Sequence, residues 1–274
     1  MNHSLVQLSD PHIKAPGEIA YGRVDTAAYL REAVAAVGRL RQPPRAVVVT
    51  GDLADFGRAA EYEQLRSLLE PLACTVYLMP GNHDDREALR QAFPEHAYLQ
   101  GGGHWIQYAV DLGGARLVAA DTVVSGQPHG ELCAERLQQI DELLAREPRT
   151  PTLLALHHPP FETLIGHMDE IGLRGAEALA EVVRRHPQVE RVICGHLHRS
   201  IQARWAGTIA LTAPSTAHQV ALDLTPDADS AFMMEPPGFL VHAWGGGAPL
   251  VSHLMPVGSF DGPYPFHDEN GLID

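Results

Sequence analysis

Short apolar runs alternate along the chain with stretches in which apolar residues recur every three or four positions. The runs cover residues 5–8, 46–50, 76–79, 117–120, 153–156 and 192–194. Several are rich in β-branched residues, which predicts strands buried on both faces. The periodic stretches cover residues 26–40, 58–70, 134–146 and 175–186, and they predict amphipathic helices. This alternation predicts an α/β fold with helices on the faces of a sheet.

The pattern changes after about residue 200. Residues 208–212 and 239–244 predict two more strands, but proline and glycine interrupt the rest of this segment. We therefore expect a main domain over residues 1–220 and a small C-terminal appendage over residues 221–274. Its apolar residues 232–234 and 236–240 predict a flap, a contact between subunits or packing against the main domain.

Polar side chains with metal-binding chemistry follow five of the predicted strands. They are Asp10 and His12, then Asp52, then Asn82, His83 and Asp84, then His157 and His158, and finally His196 and His198. In open α/β sheets, ligands bind at the edge where the strands end. Any one of these residues alone is more simply a turn residue, a helix cap or a core histidine. Five such groups in order favour a metal site.

The residue types and their number indicate two ions. Carboxylate, imidazole and amide oxygen ligands suit Zn, Fe and Mn. Seven candidate ligands are too many for one four-coordinate ion, whereas two ions about 3.5–4 Å apart, bridged by one carboxylate, would use them all. Glycines precede Asp52, Asn82 and His196, where a tight turn and a close approach to a metal favour a residue without a Cβ.

Composition limits the partners and the compartment. The formal net charge of −14 counts against binding of nucleic acid, which needs a basic surface. No apolar run reaches the roughly 18 residues of a membrane span, and we expect neither a membrane partner nor a signal peptide. The three cysteines are far apart and lack C-x-x-C spacing, which favours reduced thiols and a cytoplasmic location.

The ordered motifs resemble those of a known family. Asp10-x-His12, Gly51-Asp52, Gly81-Asn82-His83-Asp84, His157 and Gly195-His196-x-His198 match the five signature motifs of calcineurin-like metallophosphoesterases, over roughly the first 200 residues. Within that family the chain looks most similar to the bacterial branch of class III cyclic nucleotide phosphodiesterases and glycerophosphodiesterases. The protein serine/threonine phosphatases carry an arginine soon after the second motif, whereas here Phe56 follows Asp55. The resemblance implies a β-sandwich of two mixed sheets flanked by helices, in four αββα layers.

The resemblance also implies a role for each motif residue. Asp10, His12 and His198 would hold the first metal, and Asn82, His157 and His196 the second, with Asp52 bridging them. The metals would be Fe, Zn, Mn or Co. His83 would act on the substrate phosphate, with Asn82 beside it, and Asp84 would orient His83. The family pattern favours His157 over His158 as ligand.

The resemblance leaves several substrate classes open. We expect hydrolysis of small phosphodiesters of the glycerophosphodiester type by a metal-bridging hydroxide. His218 would contact the substrate phosphate, because glycerophosphodiesterase relatives carry a histidine there, although an exposed loop histidine is nearly as good an interpretation. The alternatives are a 3′,5′-cyclic nucleotide phosphodiesterase, a nuclease and a non-catalytic scaffold, and relatives predict a homo-oligomer, a dimer or higher. Histidines without a motif are interpreted as structural: His104, His129, His167, His242, His253 and His267.

Overall fold

The computed structural model describes residues 2–101, 103–269 and 271–272, with only the backbone at Ala248. Its strands are β1 (His3–Leu8), β2 (Ala46–Thr50), β3 (Thr75–Met79), β4 (Tyr108–Asp111), β5 (Arg116–Ala119), β6 (Gly130–Glu131), β7 (Thr152–Ala155), β8 (Leu173–Arg174), β9 (Val189–Cys194), β10 (Ile201–Trp205), β11 (Thr208–Thr212), β12 (Gln219–Val220), β13 (Phe232–Met233), β14 (Gly238–Gly245), β15 (Ala248–Pro256), β16 (His267–Asp268) and β17 (Gly271–Leu272). Its helices are α1 (Thr26–Gly38), α2 (Ala59–Leu69), α3 (Arg86–Ala92), α4 (Ala97–Gln100), α5 (Ala134–Ala145), α6 (Gly166–Asp169) and α7 (Ala176–Arg184). The predicted strands and the four predicted helices are confirmed, with bounds that differ by at most three residues.

Two mixed sheets contain the longer strands. The first has the order β15-β14-β1-β2-β3, and the second has the order β10-β11-β9-β7-β5-β4. β1, β2 and β3 are parallel, as are β5, β7, β9 and β11. The remaining strands of the two sheets, β4, β10, β14 and β15, pair antiparallel with their neighbours. Because parallel strands end on the same side, the loops after β1, β2 and β3 leave one edge of the first sheet together.

The two sheets pack face to face, and alternate residues of the second sheet point to different layers. Leu117 of β5 and Leu153 of β7 share a core cluster with Leu5 of β1. The next residues, Val118 and Leu154, pack with apolar residues of α5 and α7, as the two-residue period of a strand requires. Helices α1 and α2 cover the first sheet and belong to its cluster. The structure thus confirms the predicted αββα sandwich.

Part of the C-terminal segment belongs to the first sheet. β14 pairs with β1 from His3 opposite Trp244 to Gln7 opposite Leu240, and β15 extends the sheet beyond β14. The predicted boundary follows residue 220, but residues 238–256 form β14 and β15 of the first sheet. The alternating apolar pattern predicts a strand at residues 239–244, yet it carries no local signal for a partner at the opposite end of the chain.

In the part of the chain that the structure describes, no helix has both the length and the apolar character that a membrane crossing requires.

Candidate metal centre

Five of the predicted ligands share a strained backbone conformation. Among the described residues, eight residues other than glycine have a positive φ angle, and five of them are predicted ligands. These are Asp10 (49°), His12 (44°), Asp52 (47°), His196 (68°) and His198 (50°). Such conformations cost on the order of 1–3 kcal/mol each and are typical of functional sites. The loops that follow β1, β2 and β9 therefore hold these residues in turns that a merely structural loop would avoid.

Four predicted ligands form one cluster. Ligand atoms of Asp10, His12, Asp52 and His198 all lie within 4.8 Å of one another, and the four residues are buried. His12 Nε2 lies 3.5 Å from Asp52 Oδ2, and His198 Nε2 lies 3.6 Å from Asp10 Oδ1. Two carboxylates and two imidazoles form a donor set that suits Zn, Fe or Mn. This cluster could hold one metal ion.

Asp52 faces a second group of ligands through its other oxygen. Asp52 Oδ1 lies 3.3 Å from His157 Nε2, and His157 Nε2 lies 3.1 Å from Asn82 Oδ1. The ring of His196 packs beside that of His157 with centroids 5.2 Å apart. The Nε2 atom of His196 is buried and has no hydrogen-bond partner among the described residues. These atoms could hold a second metal ion, with Asp52 shared between the two groups.

In three of the predicted histidine ligands, the Nδ1 atom contacts an oxygen atom of the protein. His12 Nδ1 lies 3.2 Å from Asp55 Oδ1, and His157 Nδ1 lies 2.8 Å from the Thr50 carbonyl oxygen. His198 Nδ1 lies 3.1 Å from the carbonyl oxygen of His218. An oxygen acceptor at Nδ1 keeps the proton there, which leaves the Nε2 lone pair free to face a metal. The three rings are thus held in the tautomer that metal binding needs.

Two of the predicted glycines are required by close contacts. A Cβ at Gly81 would lie 2.2 Å from Asp52 Oδ1 and 2.8 Å from His157 Cε1. A Cβ at Gly195 would lie 2.9 Å from Asp10 Oδ2. Both distances from Gly81 lie below any normal Cβ contact, so a side chain at either position would displace the ligands. Glycine at these two positions therefore lets the backbone approach the predicted ligands closely.

The electrostatics of the cluster match the same role. Burial raises the pKa of Asp10 to about 6. Burial would also raise the pKa of Asp52, but nearby histidines, His157 first among them, hold it well below its usual range. Burial lowers the pKa of His196 and of His198 to about 3 each. Burial would also lower the pKa of His157, but the Asp52 carboxylate raises it to about 9. The metal-free cluster thus balances the charge of Asp52 with a proton on His157, and a bound cation would replace that proton.

The side chains of His83 and Asp84 make contacts with different residues of the site. The ring of His83 is about one-third exposed, and its Nδ1 lies 2.8 Å from the carbonyl oxygen of Asp55. The predicted role of Asp84 is to orient His83, but the hydrogen bonds of the Asp84 carboxylate join it to other residues. The Asp84 carboxylate accepts hydrogen bonds from the backbone N–H of Leu53, Ala54 and Gly81 and from the Tyr62 hydroxyl. Asp84 therefore joins the loops after β2 and β3, and the backbone of Asp55 holds the His83 ring.

His158 is tied into the protein on both ring nitrogens. Its Nδ1 lies 2.8 Å from the Thr122 hydroxyl, and its Nε2 lies 3.1 Å from the Pro128 carbonyl oxygen. The Nε2 of His157 instead faces Asp52. Ligand atoms of His157, His158 and His196 lie within 4.8 Å of one another, but both ring nitrogens of His158 already contact oxygen atoms of the protein. The ring of His158 also packs against that of His196, with centroids 4.5 Å apart.

A cavity with a volume of about 470 Å³ opens onto both ligand groups. His83, Asn82 and His218, the residues expected to contact substrate, all line it. His218 is buried, so the alternative of an exposed loop histidine does not describe it. Burial lowers its pKa to about 2. The rings of Tyr21 and Phe232 pack against His218 with centroids 5.2 and 5.3 Å away.

Sequence reasoning did not single out several residues of this site. Asp55 contacts His12, and its carboxylate also accepts from Lys14 Nζ at 3.0 Å. Tyr21 and His167 line the cavity. The repeated acidic positions of the stretch "GDLADFG" were the available signal for Asp55. Tyr21 lies in a loop and His167 in the short helix α6, and neither belongs to a motif, so no local pattern identifies them.

The family model described as calcineurin-like phosphoesterase matches residues 3–200. The chain is 38% identical over 272 residues to the probable glycerophosphodiester phosphodiesterase GpdQ of Arcobacter nitrofigilis, covering 98% of this chain and 99% of the relative. It is 36% identical over 271 residues to a probable cyclic nucleotide phosphodiesterase of Rhodopseudomonas palustris, covering 97% of each. Among solved structures, a dimetal phosphatase from Danio rerio superimposes with a TM-score of 0.62 over 93% of this chain and 99% of the other. At 18% identity that similarity shows the fold alone.

The matched region contains all seven predicted ligands, and the full-length similarity to curated relatives extends through the C-terminal strands. The chain belongs to the calcineurin-like phosphoesterase family.

Proposed function

We propose that this protein is a metal-dependent phosphodiesterase that hydrolyses small phosphodiesters of the glycerophosphodiester type. The arrangement of Asp52 carries the proposal, because its Oδ2 faces His12 at 3.5 Å and its Oδ1 faces His157 at 3.3 Å. One carboxylate shared between two ligand groups is the arrangement that a pair of metals needs. We propose Asp10, His12 and His198 for one ion and Asn82, His157 and His196 for the other.

Two bound ions would supply an attacking water that is deprotonated near neutral pH and would neutralise charge on the phosphoryl oxygens. The metals are proposed to be Fe, Zn, Mn or Co, because this donor set accepts several ions. His196 Nε2, buried and unpartnered among the described residues, supports the fit, since such an atom is costly without a partner.

His83 and His218 would act on the substrate itself. His83 is partly exposed to the cavity side of the cluster, and its Nδ1 is held by the Asp55 carbonyl oxygen. That contact keeps a proton on Nδ1 and directs the other ring nitrogen away from Asp55. His83 would then stabilise charge that develops on the phosphate or protonate the leaving alcohol, a role worth about 10²–10⁴-fold in rate. His218 and Asn82 would help to position the phosphate, and Asp84 would fix the loop that carries His83.

The glycerol-type substrate is supported by two observations. The GpdQ relative is 38% identical along 98% of this chain, and His218 lines the cavity rather than the outer surface. The net charge of −14 opposes a polyanionic substrate, because nucleic acid requires a basic groove. The seven ligands gathered in one place support an enzyme rather than a scaffold.

A cyclic nucleotide is the second candidate. The rings of Tyr21 and Phe232 lie 5.1 Å apart between centroids beside His218, and such rings can stack on a nucleobase. The relative from Rhodopseudomonas palustris is named for this activity and is 36% identical. This reading uses the same metal ligands and changes only the occupant of the cavity.

The two candidates are separated by kcat/KM of the Mn²⁺-loaded protein on glycerophosphoethanolamine and on 3′,5′-cyclic AMP. We expect the glycerol diester to be the better substrate. A strong preference for the cyclic nucleotide would move the assignment to the second candidate. No turnover of either, with metal bound, would refute a phosphodiesterase and favour a scaffold.

We also propose a homo-oligomer and a cytoplasmic location. Exposed apolar side chains on the C-terminal segment, Leu254, Phe260, Tyr264 and Phe266, support a contact between copies. The three cysteines are all free, which is typical of reducing compartments. Light scattering on the purified protein tests the first proposal, and a species of 29.8 kDa would refute it.

A further inference from the structure

His167 lines the same cavity as the metal ligands but belongs to neither ligand group. Both of its ring nitrogens are buried, and neither has a hydrogen-bond partner among the described residues. Leaving a buried polar atom without a partner costs about 1–3 kcal/mol. A histidine in this state points to a ligand that supplies the missing contacts.

The segment that carries His167 is held firmly in place. The Asp169 carboxylate accepts hydrogen bonds from the backbone N–H and hydroxyl of Thr163 and from the backbone N–H of Leu164, all at 2.8 Å. Ile165 and Met168, on either side of His167, are buried in an apolar cluster with Leu197 and with Val220 of β12. The short helix α6 therefore presents His167 to the cavity on a rigid support.

The cavity that His167 lines also has apolar side chains in its wall. They are Met168, Ile171, Val220 and Phe232. The ligand atoms of Asp10, His12, Asp52 and His198 lie within 4.8 Å of one another in a group that does not include His167. A phosphate held at the metals would leave the rest of the substrate to reach this wall.

We infer that His167 binds a hydroxyl group on the alcohol portion of the substrate, such as a hydroxyl of a glycerol arm. This inference rests on the proposed phosphodiesterase function and names the part of the substrate that the site selects. A neutral imidazole offers one N–H donor and one nitrogen acceptor, and a hydroxyl both donates and accepts. The χ2 torsion of histidine is soft, so the ring can turn a nitrogen toward a ligand in the cavity that it lines.

Binding to two phosphate monoesters tests the inference. Glycerol 3-phosphate and methyl phosphate share the phosphate but differ in hydroxyl groups, and calorimetry on the Mn²⁺-loaded protein compares their affinities. We expect His167→Ala to weaken glycerol 3-phosphate by roughly three- to tenfold, the size of one hydrogen bond, and methyl phosphate much less. His167→Gln, which keeps a donor and an acceptor, should recover part of the loss.

Equal weakening of both ligands, or no weakening of either, would overturn the inference. His253→Ala is the matched control, because His253 is exposed on β15 and does not line the cavity. If His167→Ala fails to fold, the comparison rests on His167→Gln and on an added His167→Asn variant. In that case, weaker binding of glycerol 3-phosphate but not of methyl phosphate to His167→Asn would support the hydroxyl contact.

Steady-state kinetics separate a failure of this inference from a failure of the proposed function. If the wild-type protein hydrolyses glycerophosphoethanolamine, we expect His167→Ala to raise KM for this substrate more than it lowers kcat. Turnover with an unchanged KM would refute the hydroxyl contact and leave the proposed function standing. No diester turnover by the wild-type protein, together with selective loss of glycerol 3-phosphate binding in the variant, would refute the function but not the contact.

Discussion

His12 Nε2 and His198 Nε2 lie 3.1 Å apart in the buried cluster. The other nitrogen of each ring faces an oxygen acceptor, Asp55 Oδ1 for His12 and the His218 carbonyl for His198. Neutral rings held in this way direct two lone pairs at each other, which is unfavourable unless a cation or an extra proton lies between them. The pair is therefore arranged around a positive charge, and a metal ion supplies it with the correct ligand chemistry.

Metal binding should stabilise the folded protein, because the unfolded chain does not assemble these ligands. At a free metal concentration 100 times the Kd, the stabilisation is about 2.7 kcal/mol. For a chain of this size, that corresponds to a rise in Tm of roughly 5–10 °C. Differential scanning fluorimetry with Mn²⁺ or Zn²⁺, and after EDTA, measures the shift. Asp52→Asn should lose most of this rise in Tm. A wild-type Tm that does not change with metal would contradict the assignment of both ligand groups.

His83→Ala should lower kcat without changing metal content. The ring is held by the Asp55 carbonyl oxygen at 2.8 Å and belongs to the cavity wall, so its loss removes a group that acts on the substrate. We expect a decrease in kcat of about 10²–10⁴-fold. Metal analysis by mass spectrometry accompanies the kinetics. A variant that has lost one metal equivalent would instead place His83 among the ligands.

Asp55→Asn should weaken metal binding, although Asp55 is not a predicted ligand. Its carboxylate lies 3.2 Å from His12 Nδ1 and 3.0 Å from Lys14 Nζ. Replacing a carboxylate behind a metal-binding histidine typically costs about 10–100-fold in metal affinity or activity. Competition with a fluorescent chelator measures the affinity.

Asp141→Asn is the matched control for Asp55. Asp141 also accepts from a histidine, His186 Nε2 at 2.7 Å, but this pair lies outside the cavity lining. The metal affinity of Asp141→Asn should equal that of the wild-type protein. Equal losses in both variants would show a general effect of removing one negative charge and would refute the proposed role of Asp55.

The sequence predicted those parts of the site that lie at strand ends. The apolar run before Asp52 or Asn82 predicts a strand, and the polar residue that follows it must then lie at the sheet edge. Asp55 and His218 reach the same point through loops, and only the three-dimensional path of those loops brings them to His12 and His198. Their contribution could not be derived from local periodicity.

Pairing between distant strands is the other part that the sequence did not specify. The pattern at residues 239–244 predicted a strand, and the structure pairs that strand with β1 at the start of the chain. A period of two residues identifies which side chains face the core but says nothing about the neighbouring strand. The boundary after residue 220 followed from the density of proline and glycine, which describes loops rather than sheet membership.

His242 links the C-terminal strands to the core and should make folding sensitive to acid. Its Nε2 donates to Gln7 Oε1 at 3.1 Å, and its Nδ1 accepts from the Ser252 hydroxyl at 2.8 Å. Gln7 in turn donates to Thr50 Oγ1 at 3.0 Å and to the Cys194 carbonyl oxygen at 2.9 Å. This chain of contacts joins the two sheets and buries the His242 imidazole, which disfavours its charged form.

Burial lowers the pKa of His242 to about 3, whereas an unfolded histidine has a pKa of about 6.5. Between these values the unfolded chain binds more protons, so this contribution to the free energy of unfolding is present above pH 6.5 and is lost as pH falls. His242→Gln should be less stable than the wild type at pH 7.5, because its amide cannot reproduce both contacts. Its disadvantage should shrink by about 1.4 kcal/mol between pH 7.5 and pH 5.5. Urea unfolding of the metal-free proteins measures the difference at each pH. His253→Gln, on the exposed face of β15, is the control, and the same convergence in that variant would show that His242 is not the source.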